Sequence, residues 1–203
     1  MPDLRVFKTL VVGLGSTGTR VCEALAERIE WEVGSLERAP WVEFLCIETN
    51  AAMKSRFNGT DDFRTLSISA AEYSDIINSP QNYDDSIALQ RWADIETLRQ
   101  LKAGAVDAGA GNIRMVGRLA LLYPKNYINI KNALTDRIAR LKGLTAAQAK
   151  GHLNKNAVGH EVDVVFAEGL RVIVTGTLLG GTCSGTAADF GILLQTLTSK
   201  DER

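Results

Sequence analysis

Apolar residues along the chain follow two spacings, one typical of buried strands and the other typical of helices. Runs of apolar and β-branched residues predict buried strands at 7–12, 42–47 and 170–175. Apolar residues at helical spacing predict helices at 19–31, 113–123, 125–142 and from Ser184 onward. This alternation indicates an α/β fold with a mainly parallel sheet and helices on both of its faces.

The remaining segments are less regular. The pattern predicts a short strand at 64–68, a helix at 70–78, a surface loop at 78–86 and a partly exposed polar segment at 143–159. An apolar run at 162–166 predicts another strand. Because only residues 167–169 separate it from the strand at 170–175, we expect a β-hairpin or an extra edge strand there.

Three glycine-rich loops each precede a predicted helix. Their sequences are GLGSTG at 13–18, GAGN at 109–112 and LGGTCSG at 179–185. A loop that opens a helix directs backbone N–H groups and the positive helix end at one spot, which suits a phosphate. Gly180, Gly181 and Gly185 allow an approach that a Cβ would obstruct, and Thr182 and Ser184 add hydroxyl donors. Each loop taken singly is also compatible with a tight turn that holds no ligand.

A few polar residues near these loops have two interpretations. Glu48 follows the second strand and lies 30 residues beyond Gly18. It is either a solvated loop carboxylate or, if GLGSTG binds a dinucleotide, the group that binds a ribose 2′-hydroxyl. Asn112 is a good N-cap, and Arg114 and Arg118 lie on one helix face where they could meet an anion.

The composition excludes several classes of function. A net charge of −1 over 203 residues gives no electrostatic reason to expect nucleic acid or an anionic membrane as a partner. No apolar run approaches the roughly 18 residues that a membrane helix needs. The sequence pattern predicts that Cys22 and Cys46 are core residues. Neither His152 nor His160 has a cysteine or a second histidine at the spacing of metal ligands. We therefore expect a cytoplasmic protein without a protein-ligated metal site.

The ordered set of loops resembles the tubulin/FtsZ superfamily of GTPases, in particular its bacterial tubulin-like members. LGGTCSG is similar to the superfamily signature GGGTG[ST]G, with Leu179 and Cys183 in place of glycines. GAGN resembles the loop beside the terminal phosphate, and GLGSTGTRV at 13–21 resembles the first loop of FtsZ. The segment Glu48-Thr49-Asn50 is similar to the FtsZ segment N-T-D.

The resemblance implies a Rossmann-like domain that binds GTP or GDP across the carboxyl ends of its strands. Residues 13–20 and 180–185 would hold the α- and β-phosphates, whereas Thr49, Asn50 and the loop at 109–112 would face the γ-phosphate and a water-coordinated Mg²⁺. The implied nucleotide contacts are Gly13, Gly15, Ser16, Thr17, Gly18, Thr19, Arg20, Thr49, Asn50, Gly109, Ala110, Gly111, Asn112, Gly180, Gly181, Thr182, Cys183, Ser184 and Gly185.

The chain also departs from the family pattern. Arg20 replaces an FtsZ asparagine that reaches toward the sugar and base, which leaves guanine specificity open. Cys183 at a helix N-terminus is a candidate for a lowered pKa, although burial under a nucleotide without reactivity is the stronger expectation. Wider loop spacings imply insertions near 57–100 and 125–165.

Residues 1–203 correspond by resemblance to the N-terminal part of the family's domain. Hydrolysis in the family needs a later acidic loop, so we assign no catalytic residue and expect no GTP hydrolysis by this chain alone. In a full-length protein the resemblance implies head-to-tail self-association into filaments. Two alternatives remain: an NAD(P)-dependent oxidoreductase that uses GLGSTG, and a structural tubulin-like module that has lost its nucleotide.

Overall fold

Four strands form a sheet in which all neighbours run parallel. The computed structural model describes residues 3–101, 109–154 and 162–199. The sheet has the order β3-β2-β1-β4, and its strands are β1 (Asp3–Leu14), β2 (Val42–Glu48), β3 (Phe63–Thr65) and β4 (Asp163–Gly176). Leu14 lies opposite both Ile47 and Gly176, so β1, β2 and β4 end at the same edge. The prediction of a mainly parallel α/β fold is confirmed.

Helices connect the strands and follow the last one. They are α1 (Gly15–Val33), α2 (Ala70–Asn78), α3 (Asp84–Ile87), α4 (Ile95–Gln100), α5 (Arg114–Leu122), α6 (Pro124–Gly143), α7 (Ala146–Leu153) and α8 (Gly181–Thr198). Short 3₁₀ turns occupy Leu36–Arg38, Pro80–Asn82 and Leu89–Arg91. In the part of the chain that the structure describes, none of these helices has the length and apolar character required to cross a membrane.

Residues at the carboxyl ends of β1 and β2 are buried on both faces of the sheet, since successive side chains point to opposite sides. The prediction of a buried strand at 170–175 was wrong, because this part of β4 has no buried residue and Ile173 and Val174 are 41% and 43% exposed. On one face Leu10 and Val12 belong to a large core that also contains residues of α5, α6 and α8. On the other face Val11 packs in a smaller core with Cys22 and Ala26 of α1. Helices therefore cover both faces, as the alternation of strands and helices predicted.

The expectation of a hairpin or of a separate extra strand at 162–175 was wrong, because β4 is one edge strand that runs parallel to β1. The pairing shifts between Val6, which lies opposite Phe166, and Lys8, which lies opposite Leu170. β4 therefore carries extra residues at 167–169, where Gly169 adopts a φ of +84°. A glycine in this conformation absorbs the extra length without reversing the strand.

Other boundaries differ from the sequence-based expectations. The segment at 143–159 contains α7, which begins with a capping box in which Thr145 and Gln148 bond each other's backbone N–H groups. The loop expected at 78–86 contains a 3₁₀ turn and the start of α3. His152 is exposed, as expected, whereas His160 lies outside the described residues.

Candidate functional site

The glycine-rich loops meet at one pocket, at the edge of the sheet where β1, β2 and β4 end. The pocket has a volume of about 170 Å³. Its described lining residues are Leu14, Gly15, Ser16, Thr17, Glu48, Thr49, Asn50, Gly109, Ala110, Gly111, Thr177, Gly180, Thr182 and Cys183. Residues from all three loops and from the end of β2 thus share one space, and Leu14, Glu48 and Thr177 join those that the sequence predicted.

The first loop makes an abrupt change from β1 into α1. Gly15 is the first residue of α1 and has a φ of +71°, which favours glycine. A Cβ on Gly13 would lie 2.6 Å from the carbonyl oxygen of Gly18, and one on Gly18 would overlap the carbonyl oxygen of Thr175. Gly13 and Gly18 therefore allow α1 to pack closely on the strands. Among the described residues no side chain caps α1, and its first turn has no acidic residue, so the N–H groups of this turn remain available at the pocket.

The third loop opens α8 directly after β4. Gly180 is the N-cap, and no side chain of the described residues caps the helix. The N–H of Gly181 donates to the carbonyl oxygen of Gly111 over 2.6 Å. A Cβ on Gly181 would lie 2.8 Å from the backbone nitrogen of Ile113, and one on Gly185 would lie 2.7 Å from that of Arg118. Gly181 and Gly185 thus allow α8 to pack against α5, and both lie outside the pocket lining.

The loop at 109–112 is held by Thr49 and Asn50, which directly follow β2. Gly109 has a φ of +92°, and a Cβ there would lie 2.9 Å from the Cβ of Asn50. The N–H of Ala110 donates to the Thr49 hydroxyl over 2.8 Å. The prediction of Asn112 as an N-cap was wrong, because α5 begins one residue later and its N-cap is Ile113. Asn112 is exposed and outside the lining.

The expected hydroxyl donors bond within the protein. The Thr182 hydroxyl lies 2.7 Å from that of Thr49 and 3.4 Å from a carboxylate oxygen of Glu48. The Ser184 hydroxyl donates to the carbonyl oxygen of Gly180 over 2.7 Å. The pocket therefore offers a ligand mainly backbone N–H groups of the first turns of α1 and α8.

Glu48 is the main residue whose surroundings were misjudged from the sequence. It is 2% exposed, so the interpretation as a solvated carboxylate was wrong. Its Oε2 accepts from the Ser16 hydroxyl at 2.6 Å, and its Oε1 accepts from the N–H groups of Thr49 and Asn50 at 2.8 and 3.1 Å. Both oxygens thus accept hydrogen bonds from within the protein. The sequence feature that could have indicated this burial is the position of Glu48 directly after the predicted strand at 42–47.

Two residues expected at the nucleotide, Thr19 and Arg20, lie outside the pocket lining. Thr19 is fully buried, and no polar atom of the described residues meets the hydrogen-bond criteria with its hydroxyl. Arg20 is exposed and forms an ion pair of 2.7 Å with Glu23 on the same helix. The two arginines considered as anion contacts, Arg114 and Arg118, also lie outside the pocket lining. Arg118 forms two hydrogen bonds with Asp189 and stacks on Trp92 at 4.7 Å.

The electrostatics of the pocket come from the backbone rather than from basic side chains. Among its described lining residues none is Lys, Arg or His. Burial raises the pKa of the Cys183 thiol, so the alternative of a thiol with a lowered pKa was wrong. Within the described part of the chain, no group of three or more His, Cys, Asp or Glu residues is arranged to hold a metal ion. The positive ends of α1 and α8, each equivalent to about half a charge, are therefore the main attraction for an anion.

Comparison with protein families gives one match. A family described as "Tubulin like" matches residues 10–203. The match includes all three glycine-rich loops and every pocket residue named above. Searches of curated proteins and of solved structures found no match.

Proposed function

The chain belongs to the tubulin-like family, and on that premise we propose that its pocket binds the phosphate groups of a nucleotide, GTP or GDP. The observation that carries the proposal is the convergence on one pocket of two helix N-termini that no described side chain caps. Such ends are ready-made anion sites, because unpaired N–H groups and the helix dipole act in the same direction. The choice of guanine rests on family membership alone.

The size of the pocket fits the phosphate groups rather than a whole nucleotide. Small-molecule sites usually have volumes of roughly 300–1,000 Å³, whereas this pocket has about 170 Å³. In the proposed complex the N–H groups of Gly15, Ser16 and Thr17 bind from one side and those of Thr182 and Cys183 from the other. The sugar and base would then lie outside this pocket.

The residues present also fit a water-coordinated Mg²⁺. Magnesium is usually held by one or two carboxylates together with substrate phosphates and several waters. Glu48 is the one carboxylate among the described lining residues. In the proposed complex the cation would neutralise phosphate charge that no basic side chain of this lining meets.

Head-to-tail assembly into filaments in a full-length protein is a proposal that rests on the family, and sedimentation with GTP would test it.

A competition titration tests nucleotide binding. A fluorescent GTP analogue is bound to the chain with Mg²⁺ and displaced in turn by GTP, GDP, ATP and NAD. We expect GTP and GDP to displace it at much lower concentrations than ATP or NAD do. Preferential displacement by NAD would favour the oxidoreductase alternative, and absence of binding would favour a structural module without nucleotide.

A further inference from the structure

Glu48 is the one charged side chain among the described residues that line the pocket. It acts only as an acceptor, since the Ser16 hydroxyl and the N–H groups of Thr49 and Asn50 all donate to it. This is the bonding pattern of an ionised carboxylate. A negative charge thus lies at the floor of a pocket proposed to bind an anion, and the proposed function does not explain it.

The carboxylate sets the direction of the Ser16 hydroxyl. Ser16 has one hydroxyl proton and donates it to Glu48 over 2.6 Å, so its oxygen offers the pocket only lone pairs. Thr49 accepts from the N–H of Ala110, and its hydroxyl and that of Thr182 share a hydrogen bond of 2.7 Å in which either can be the donor. The Ser16 hydroxyl is therefore oriented to accept from the pocket, whereas a phosphate oxygen needs a donor.

The charges lead to the same conclusion. The N-termini of α1 and α8 each contribute about +0.5 of a charge, and the Glu48 carboxylate opposes them with one negative charge. The floor of the pocket is thus close to neutral before a ligand arrives. A free polyphosphate brings several negative charges into this pocket. A polyphosphate that carries a divalent cation brings fewer, and its cation can interact with the lone pairs of the Ser16 oxygen.

We infer that Glu48 is a positioning residue that makes the pocket select cation-bound over free polyphosphate, by holding the Ser16 hydroxyl in its acceptor orientation. This inference rests on the proposed function, because it concerns the form in which the proposed ligand binds. A purely structural Glu48 would also bridge α1 and β2. The two roles differ in one measurable quantity, the ratio of affinities with and without the cation.

The variant Glu48→Gln separates these roles, because the glutamine side chain has the shape of glutamate and can keep most of the hydrogen bonds of Glu48. Its oxygen can still accept from the N–H groups of Thr49 and Asn50, and its nitrogen donates to the Ser16 oxygen. The Ser16 proton then turns toward the pocket, and one negative charge is lost. We expect affinity for free polyphosphate to rise about tenfold or more, with a much smaller change when Mg²⁺ is present.

The experiment is isothermal titration calorimetry of the 203-residue chain with inorganic tripolyphosphate, in Mg²⁺ and in EDTA. Glu43→Gln is the matched control, since Glu43 also lies on β2 but pairs with Arg140 outside the pocket. The inference is supported if E48Q, and not E43Q, gains affinity in EDTA by a larger factor than in Mg²⁺. An equal gain in both buffers leaves the ratio of affinities unchanged and overturns the inference. Two further results would overturn the inference while wild-type binding leaves the proposed function intact. In one, the affinity of E48Q changes no more than that of E43Q. In the other, the affinity of E48Q falls by the same factor in both buffers.

A second variant tests whether the effect passes through Ser16. In a Ser16→Ala background we expect the gain from E48Q in EDTA to shrink, because no hydroxyl remains to be reoriented. A gain of the same size would mean that charge alone acts, and would overturn the positioning role. Absence of binding by wild type and E48Q alike, to tripolyphosphate and to the fluorescent GTP analogue, would overturn the proposed function and this inference together.

Discussion

The first turns of α1 and α8 resemble each other in sequence but differ in what their residues contact. Each turn starts with a glycine, Gly15 or Gly181, and continues with a hydroxyl residue that lies near Glu48. Gly15 adopts a positive φ and lines the pocket. Gly181 is instead packed against the backbone of Ile113 and lies outside the lining.

The difference shows that similar glycine loops meet different requirements. At the start of α1 the chain must turn sharply from β1, so the constraint is a backbone conformation. At the start of α8 the helix must approach α5, so the constraint is space for a neighbouring backbone. Of the glycines Gly180, Gly181 and Gly185 in the α8 loop, Gly180 is the one that lines the pocket. It also leaves room for a side chain, because a Cβ there would have its nearest neighbours at 3.5 Å or more.

The largest effect is expected from Gly185→Ala. A Cβ there would overlap the carbonyl oxygen of Arg114, a backbone atom that cannot rotate away. We expect the free energy of unfolding to fall by about 2–3 kcal/mol as α8 and α5 separate. Gly191→Ala is the matched control in the same helix, where a Cβ meets nothing within 4 Å, and it should stabilise by about 0.5–1 kcal/mol. Urea denaturation followed by circular dichroism measures both, and equal effects would contradict the packing argument.

A smaller loss of stability, coupled to a loss of binding, is expected from Gly15→Ala. A φ of +71° costs an alanine about 1–2 kcal/mol, and its Cβ would lie 3.3 Å from the Cβ of Thr182 in the pocket. Gly169→Ala is the control, because Gly169 has a φ of +84° with nothing within 4 Å of its Cβ position. Both variants should lose similar stability, and only G15A should also weaken binding of the GTP analogue. Equal binding by both would contradict a pocket role for the α1 turn.

The sequence predicted those features that depend on neighbouring residues. A strand, a glycine loop and a helix in succession are local patterns, so the pocket could be located at the carboxyl ends of β1 and β4 before its geometry was known. The partners of the glycines could not be predicted, since the contact of Gly185 with α5 joins segments that are distant in the chain. The same limit applies to Glu48, whose burial depends on Ser16 and Thr182 from other loops.

The errors in the fold have a related cause. Glu168 and Gly169 are residues typical of a turn, and the sequence alone does not distinguish a turn from a bulge in a continuing strand. The pairing of β4 with β1 on both sides of Gly169 decides between them. In α7, the capping box at Thr145 was the local signal that the polar composition of the segment obscured.

Gly180→Asp should separate binding from stability in the α8 turn. Aspartate is a strong N-cap, so its carboxylate would accept from the free N–H groups at the start of α8 and raise stability by only a few tenths of a kcal/mol. Because those groups are the proposed phosphate donors, we expect affinity for the GTP analogue to fall about tenfold or more. Gly151→Asp, in open space on α7, controls for the added charge. Unchanged affinity in G180D would count against phosphate binding at this helix end.

The smallest effect concerns the third residue of each turn, which is exposed Thr17 in α1 and buried Cys183 in α8. Burial raises the pKa of the Cys183 thiol, so above about pH 8.5 the unfolded chain loses this proton more readily than the folded chain does. Stability contributed by the thiol is therefore present below that pH and declines as pH rises. We expect Cys183→Ala to reduce the loss of stability between pH 7.5 and pH 9.5, in urea denaturation, by up to about 1 kcal/mol. An identical pH dependence in C183A and wild type would mean that the thiol is already accessible to solvent, and that the two turns are more alike than their packing indicates.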